Sequence, residues 1–170
     1  MTSEAIEETF EKRDFTGQDF GGKRFVDCVF KTCNLSLTTL TNSRWQQVRF
    51  IECKLVGVDW TKCDPAFLHL DFEGCLLRSC NFSHLKLKKA TFKKCRIIEC
   101  HFVECDLSEA DFSDVEFQET LIHHSDLRKA DFRRSQGFSI DPLTNKVQGA
   151  RFSRSSALSL LDPLGVKLDD

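Results

Sequence analysis

Cysteines are the most chemically versatile residues of this chain, which holds nine of them. A thiolate can bind zinc or act as a nucleophile, and two thiols can form a disulfide. Structural zinc sites use close pairs such as C-x2-C, whereas the tightest spacing here is five residues, as between Cys28 and Cys33. This spacing disfavours zinc. The nine are Cys28, Cys33, Cys53, Cys63, Cys75, Cys80, Cys95, Cys100 and Cys105.

Two histidines and a glutamate form a second candidate site. His84, Glu104 and His124 recur at one constant interval, and imidazoles beside a carboxylate are a ligand set for zinc. If that interval returns the chain to the same face, the two histidines lie about 10 Å apart, at two steps of ~4.8 Å. Two interpretations stay open, a metal site and solvated histidines beside a glutamate. No Ser-His-Asp, Cys-His or glycine-rich phosphate motif accompanies them, so we expect no enzyme and no cofactor.

Charged residues form two blocks along the sequence. Six basic residues between Lys86 and Arg96 precede a run of acidic ones. The acidic block is a candidate surface for a partner protein, since a cluster of carboxylates can attract a basic site. The candidate contacts are Asp106, Asp111, Asp114 and Glu116.

Composition bounds the class of protein. The chain has 170 residues, 41% of them hydrophobic and 29% charged, which suits one domain with its own core. No apolar run approaches the roughly 18 residues of a membrane span, and the acidic N-terminus lacks the features of a secretory signal. We expect a cytoplasmic protein without membrane association, in which thiols stay free. A net charge of −2 does not indicate nucleic-acid binding, so we expect none.

A period of five must position these groups. Large apolar residues recur at every fifth position from Phe10 to Trp60, and the rhythm resumes, displaced by two, from Phe67 to Phe132. Helices need apolar spacings of three and four and strands a spacing of two, so neither element explains the period. Small residues precede most centres by two positions, and the cysteines share that register, with Cys63 at the break. They therefore point inward as small apolar groups.

The backbone is expected to turn once in every repeat of this period. Asp or Asn often precedes the apolar centre, and these side chains suit turns because they bond nearby backbone. Glycine follows the centre by two positions at Gly17, Gly22, Gly57 and Gly74, where a corner can require positive φ.

Two segments carry a family signature. Ala110-Asp111-Phe112-Ser113-Asp114 and Ala130-Asp131-Phe132-Arg133-Arg134 resemble the A(D/N)(L/F)xx motif of the pentapeptide-repeat family. The resemblance implies an all-β fold, a right-handed quadrilateral parallel β-helix with four repeats to a coil. About six coils span the repeats, and a short C-terminal helix caps them.

These patterns divide the chain into segments. We assign 1–9 to an N-terminal cap and 10–132 to the β-helix, with a two-residue break near 61–66. Residues 133–152 form an irregular last coil, and 153–170 a helix and tail. The apolar residues of that helix either cover the last coil or contact a twofold partner. They are Leu158, Leu160, Leu161 and Leu164.

Coils of four repeats stack opposite charges. Lys89 falls above Glu109, Arg96 above Glu116, and Arg134 next to Asp114. Opposite charges on neighbouring strands contribute a few tenths of a kcal/mol each and help to fix the register.

Two functions are consistent with this scaffold. The first is a non-enzymatic protein-interaction scaffold with an unidentified protein partner. The alternative rests on the segments 14–20 and 160–166, which resemble the termini of the topoisomerase-protecting group, the Qnr and MfpA-like proteins. That resemblance implies a bacterial homodimer, joined through its C-terminal segment, that mimics DNA. It would bind DNA gyrase or topoisomerase IV and modulate fluoroquinolone sensitivity.

Overall fold

The computed structural model describes residues 3–167, which form a parallel β-solenoid of about seven turns. The predicted all-β fold is confirmed. Each strand has two to four residues and pairs in parallel with the strand one coil away. The strands are β1 (Glu4–Ile6), β2 (Thr9–Glu11), β3 (Arg24–Val26), β4 (Val29–Lys31), β5 (Arg44–Gln46), β6 (Val48–Ile51), β7 (Lys54–Val56), β8 (Leu70–Glu73), β9 (Leu76–Arg78), β10 (Arg96–Ile98), β11 (His101–Val103), β12 (Glu116–Gln118), β13 (Leu121–His123), β14 (Asp131–Phe132) and β15 (Arg151–Phe152).

Four columns of inward residues define four faces of the rod. The register advances by four repeats to a coil, as in the pairs Phe10 with Phe30 and Ile97 with Phe117. Face A is centred on Ala5, Phe25, Trp45, Leu87, Leu107, Leu127 and Val147. Face B is centred on Phe10, Phe30, Phe50, Phe72, Phe92, Phe112, Phe132 and Phe152. Face C is centred on Phe15, Leu35, Leu55, Leu77, Ile97 and Phe117, and face D on Phe20, Leu40, Trp60, Phe82, Phe102, Ile122 and Ile140.

A stack of phenylalanine rings runs the length of face B. Its consecutive rings are stacked with centroids 4.7 to 5.3 Å apart, from Phe10 on Phe30 to Phe132 on Phe152. This separation follows from the ~4.8 Å spacing of paired strands. Aromatic pairs at such distances contribute about 0.5–1.5 kcal/mol each beyond their buried area. The stack therefore ties every coil to the next.

The corners of the coil require left-handed backbone. Gly17 and Gly22 have φ values of 68° and 64°, as predicted. Most other corners adopt the same conformation with side chains that tolerate it less well, such as Leu37 at φ 58° and Glu119 at φ 47°. A non-glycine residue costs roughly 1–2 kcal/mol there. The regular interior and the backbone ladder stabilise these corners.

The predicted two-residue break is present, but one prediction at it is wrong. Across the break the register advances by two more positions than elsewhere, as in the pair Val48 with Leu70. A 3₁₀ helix, Trp60–Lys62, and a following loop absorb the extra length. Phe67, predicted to resume the interior rhythm, is 79% exposed with φ 62°. Leu68 of the same loop packs partly against the core, and the regular register resumes with Leu70 and Phe72, which pair with Val48 and Phe50.

The first coil begins inside the segment assigned to the N-terminal cap. Strand β1 pairs with β3, and Ala5 is buried in the core. The coil therefore includes residues from Glu4 onward, and the small side chain of Ala5 is the first in its interior. Met1 and Thr2, which belong to the same predicted cap, lie outside the described residues.

The last coil is displaced by two positions on face D, regains the regular interval on faces A and B, and is followed by a short helical segment. Ile122 pairs with Ile140, an interval two positions shorter than in the regular coils, and β14 then pairs with β15. The helix α1 (Arg154–Ala157) continues into a 3₁₀ helix over Leu158–Leu164. Residues 168–170 of the predicted tail lie outside the described residues.

Candidate interaction surfaces

All nine cysteines are free and buried, as the register predicted. The thiol of Cys53 donates to the carbonyl oxygen of Phe30 at 3.3 Å, and its sulfur accepts from the backbone N–H of Cys33 at 3.4 Å. Burial raises the pKa of Cys105 to about 11 and that of Cys63 to about 12. A nucleophilic cysteine needs a lowered pKa, so these two thiols serve packing.

The histidine and glutamate column is only partly assembled. Nδ1 of His84 lies 3.2 Å from Oε2 of Glu104, as their spacing predicted. His124 instead packs on His123, with ring centroids 3.9 Å apart. Among residues 3–167 no group of three or more His, Cys, Asp or Glu side chains is placed to hold a metal ion. The three side chains therefore do not form the metal site considered from the sequence.

The four predicted acidic contacts do not share one face. Asp106 lies on face A, Asp111 on face B, Asp114 at the corner of faces B and C, and Glu116 on face C. Three of them also have partners in ion pairs. Lys93 lies 3.0 Å from Asp111, Arg134 lies 2.6 Å from Asp114, and Arg96 lies 3.5 Å from Glu116. The expected acidic surface is absent as a unit from the described coils, because consecutive acidic residues point to different sides of the coil.

Ion pairing holds the better-placed carboxylates in their charged form. The hydrogen bond from Arg134, opposed by partial burial, lowers the pKa of Asp114. At Asp111, burial opposes ionisation, but hydrogen bonds from Ser113 and Lys93 outweigh it and lower the pKa. These groups remain ionised at neutral pH, with their charge neutralised locally.

The C-terminal leucines divide into two sets. Leu160 packs against the hydrophobic core, and Leu161 is half-buried. Leu158 is 52% exposed and Leu164 is 46% exposed, and Val166 nearby is 46% exposed. Leu160 therefore contributes to covering the last coil, while the other set extends an apolar surface into solvent.

Phe67 is the most exposed large apolar residue described. Of the sixteen phenylalanines, fourteen are buried and Phe152 is partly buried. The loop below Phe67 is anchored, because the carboxylate of Asp64 accepts from the N–H of Ala66 at 2.9 Å and from Nε of Arg44 at 2.7 Å. A surface groove of about 240 Å³ separates the ring from Arg24 and Arg44.

The repeat pattern has a match among protein families. The pentapeptide repeat region family matches residues 7–77 and 66–138, most of the chain. The chain belongs to the pentapeptide-repeat family. No curated protein sequence matches it. Pentapeptide-repeat proteins are in general non-enzymatic structural or interaction proteins.

Solved structures of other pentapeptide-repeat proteins resemble this chain. One structure of QnrB1, a plasmid-mediated fluoroquinolone resistance protein, superposes with a TM-score of 0.72 at 22% identity, covering 98% of this chain and 90% of the other. A second QnrB1 structure gives 0.55 at 21% identity, covering 98% and 97%. HetL from the cyanobacterium Nostoc sp. strain PCC 7120 gives 0.37 at 13% identity, covering 87% and 84%. The two QnrB1 superpositions show that the fold is shared.

No described helix of this pentapeptide-repeat protein is long and apolar enough to cross a membrane. The exposure of Phe67 departs from the predicted period. A signal for it in the sequence is the break itself, because Pro65 lies in the irregular stretch that directly precedes Phe67.

Proposed function

We propose that the protein is a non-enzymatic scaffold that binds a protein partner through Phe67. The exposed ring carries this proposal. Aromatic side chains dominate the energetics of protein interfaces, and an exposed aromatic ring on a soundly packed scaffold has no structural role in its own core. Phe67 is 79% exposed, beside a core that accommodates fourteen other phenylalanines.

The surroundings of Phe67 favour a preformed site. Arg44 is fixed by its hydrogen bond to Asp64, and Arg24 by its hydrogen bond to Glu4 at 2.7 Å. Restraining the loop before binding lowers the entropic cost of association. The groove beside the ring suits an apolar side chain of the partner, with polar groups at its rim.

Two matched substitutions test this proposal. Phe67→Ser removes the proposed anchor, and Leu143→Ser removes a side chain that is 77% exposed elsewhere, in the last coil. Both positions are exposed, so we expect both variants to fold. Immobilised wild-type protein and Leu143→Ser should retain the same specific partner from a lysate, and Phe67→Ser should lose it. Equal retention by Phe67→Ser would contradict the role of Phe67.

The topoisomerase alternative receives support from the superposition with QnrB1, which covers 98% of this chain. It is tested by DNA supercoiling with purified gyrase, titrated with this protein in the presence and absence of a fluoroquinolone. Inhibition or drug protection at micromolar protein would support it. Charge reversal at Asp106, Asp111 and Asp114 should then abolish the effect if DNA mimicry is the mechanism. If only Phe67→Ser abolished it, gyrase would be the partner of the scaffold without mimicry.

A homodimer joined through the C-terminal segment is part of the topoisomerase alternative. Leu158 and Leu164 leave about half of their surface exposed on the segment that ends the rod. A twofold contact between two such segments would bury them. Leu158→Asp combined with Leu164→Asp should shift a dimeric mass to a monomeric one in light scattering after size exclusion. A wild-type protein that stays monomeric at about 100 μM, the Kd of a dimer held by only about 5.5 kcal/mol, would contradict the dimer.

A further inference from the structure

The later coils carry their charges unequally on opposite sides. Between Lys86 and Arg151, faces A and B hold eleven basic residues and six acidic ones, a net charge of +5. The basic residues are Lys86, Lys88, Lys89, Lys93, Lys94, Arg128, Lys129, Arg133, Arg134, Lys146 and Arg151. The acidic ones are Asp106, Glu109, Asp111, Asp114, Asp126 and Asp131. Faces C and D of the same coils hold one basic residue against five acidic ones, a net charge of −4.

The acidic residues on faces A and B lie beneath the basic ones. The Asp131 side chain is 16% exposed, and it contacts Arg133 at 2.6 Å and Arg151 at 3.9 Å, which are 42% and 59% exposed. Glu109 likewise lies 3.3 Å from Lys88 and 3.7 Å from Lys89. Each of these two carboxylates is neutralised by one cation and leaves another in surplus. The surface that a ligand meets is therefore positive, although the whole chain is not.

We propose that faces A and B between Lys86 and Arg151, the basic surface, bind the phosphate backbone of a duplex nucleic acid. Lys86 to Lys146 spans three coil steps, about 14 Å of the rod at ~4.8 Å per step. A duplex presents about eight phosphate charges over that length, at one per ~1.7 Å. Backbone binding requires cations on an open surface, and faces A and B, which meet at the corner that carries Lys89 and Lys129, supply them without a pocket.

The scarcity of exposed apolar side chains on the basic surface argues against an acidic protein as the ligand. Protein interfaces are depleted in lysine and depend on buried aromatic or apolar anchors. Seven of the eleven cations are lysines. Within residues 3–167, the exposed large apolar side chains lie elsewhere: Ile6, Leu37 and Phe67 in earlier coils, Leu121 on face D, and Leu143, Leu158, Leu164 and Val166 beyond the regular coils.

The same surface argues for a duplex over a single strand. Proteins that bind single strands stack bases on exposed aromatic rings. In the part of the chain that the structure describes, the phenylalanines of these coils on faces A and B are buried in the central stack, apart from the partly buried Phe152. A duplex keeps its bases paired and offers only phosphates and grooves to such a surface. This inference is independent of the proposed function at Phe67.

Fluorescence anisotropy with a labelled 20-bp DNA duplex and the full chain tests the proposal. The test variant combines Lys94→Gln, Lys129→Gln and Lys146→Gln, and the control combines Lys12→Gln, Lys54→Gln and Lys62→Gln. Both change the net charge equally. All six lysines are exposed, and in the described structure none forms an ion pair, so no carboxylate loses a direct partner.

We expect wild-type protein to bind with a Kd of about 10⁻⁶–10⁻⁴ M and with affinity that falls as salt rises. The test variant should lose about tenfold or more at 50 mM salt, and its log–log salt slope should decrease by about three. The control variant should stay within twofold.

Several results would overturn the proposal. Absence of wild-type binding at 50 mM salt would do so, as would equal losses in the two triple variants. Tighter binding of a 20-nucleotide single strand would exclude the duplex. Tighter binding of poly-glutamate of equal charge would assign the basic surface to acidic proteins. The measurements on wild-type protein with the duplex, the single strand and poly-glutamate test the proposal even if a triple variant is destabilised.

Discussion

The guanidinium of Arg134 donates two hydrogen bonds to the carboxylate of Asp114, at 2.6 Å from Nε and 2.7 Å from Nη2. The residues are one full coil apart in sequence, so this pair joins adjacent coils and neutralises the carboxylate, as the stacking of charges predicted. The Arg134 side chain is 63% exposed, and exposed pairs contribute about 0–1 kcal/mol. Their role is to fix the register more than to stabilise the fold.

A double-mutant cycle measures this pair. Asp114→Ala, Arg134→Ala and the double variant should give a coupling free energy of about 0.3–1 kcal/mol by urea unfolding, reduced in 1 M salt because screening weakens exposed pairs. A coupling above about 2 kcal/mol would show that the pair stabilises the rod far more than its exposure implies.

The glycine on face C of the last coil should be intolerant of a side chain. A Cβ at Gly137, at φ 74°, would overlap the carbonyl oxygen of Phe117. We expect Gly137→Ala to lower the free energy of unfolding by about 3 kcal/mol or more. Gly17→Ala is the control, because its φ of 68° is similar and nothing lies within 4 Å of the added Cβ. It should cost only the roughly 1–2 kcal/mol of left-handed backbone. Equal losses in thermal or urea unfolding would refute the steric argument.

A corner occupied by a charged residue should gain stability from glycine. Glu119 is exposed with φ 47°, and glycine adopts that conformation without strain. Glu119→Gly should raise the free energy of unfolding by about 0.5–1 kcal/mol after the entropy of the unfolded chain is included. Gln118→Gly, in the neighbouring strand β12, should instead lower it by about the same amount. Destabilisation by both would indicate that Glu119 makes a contribution beyond its backbone.

Stability should fall in alkaline solution because of the buried thiols. The folded state holds the pKa of Cys105 at about 11 and that of Cys63 at about 12, against an ordinary value of 9.0. Above pH 9 the unfolded chain releases these protons while the folded chain keeps them. Each thiol therefore removes about 1.4 kcal/mol of stability per pH unit between about pH 9 and 11. Cys105→Ser should reduce this slope in urea unfolding, and an unchanged slope would contradict the assignment.

Much of the architecture follows from the sequence alone. An apolar centre at every fifth residue, with a small residue two positions before it, is compatible with neither a helix nor a long strand. It therefore predicted a turn in every repeat and the inward cysteines, which depend only on the local period. The coil of four repeats, and with it the pairing of Lys89 with Glu109, followed from the resemblance of the repeats to the pentapeptide-repeat family.

Other features depended on how coils assemble in three dimensions. The two-residue break is visible in the sequence, but only the structure decided that its loop packs Leu68 against the core and leaves Phe67 exposed, because both are apolar and the local period is lost there. The acidic block reads as a continuous surface along the chain. Successive turns of the backbone send its members to different faces, where cations from the coils above and below pair with Asp111, Asp114 and Glu116. The difference in net charge between faces A and B and faces C and D arises only when the coils stack. The tertiary structure is therefore what reveals the basic surface.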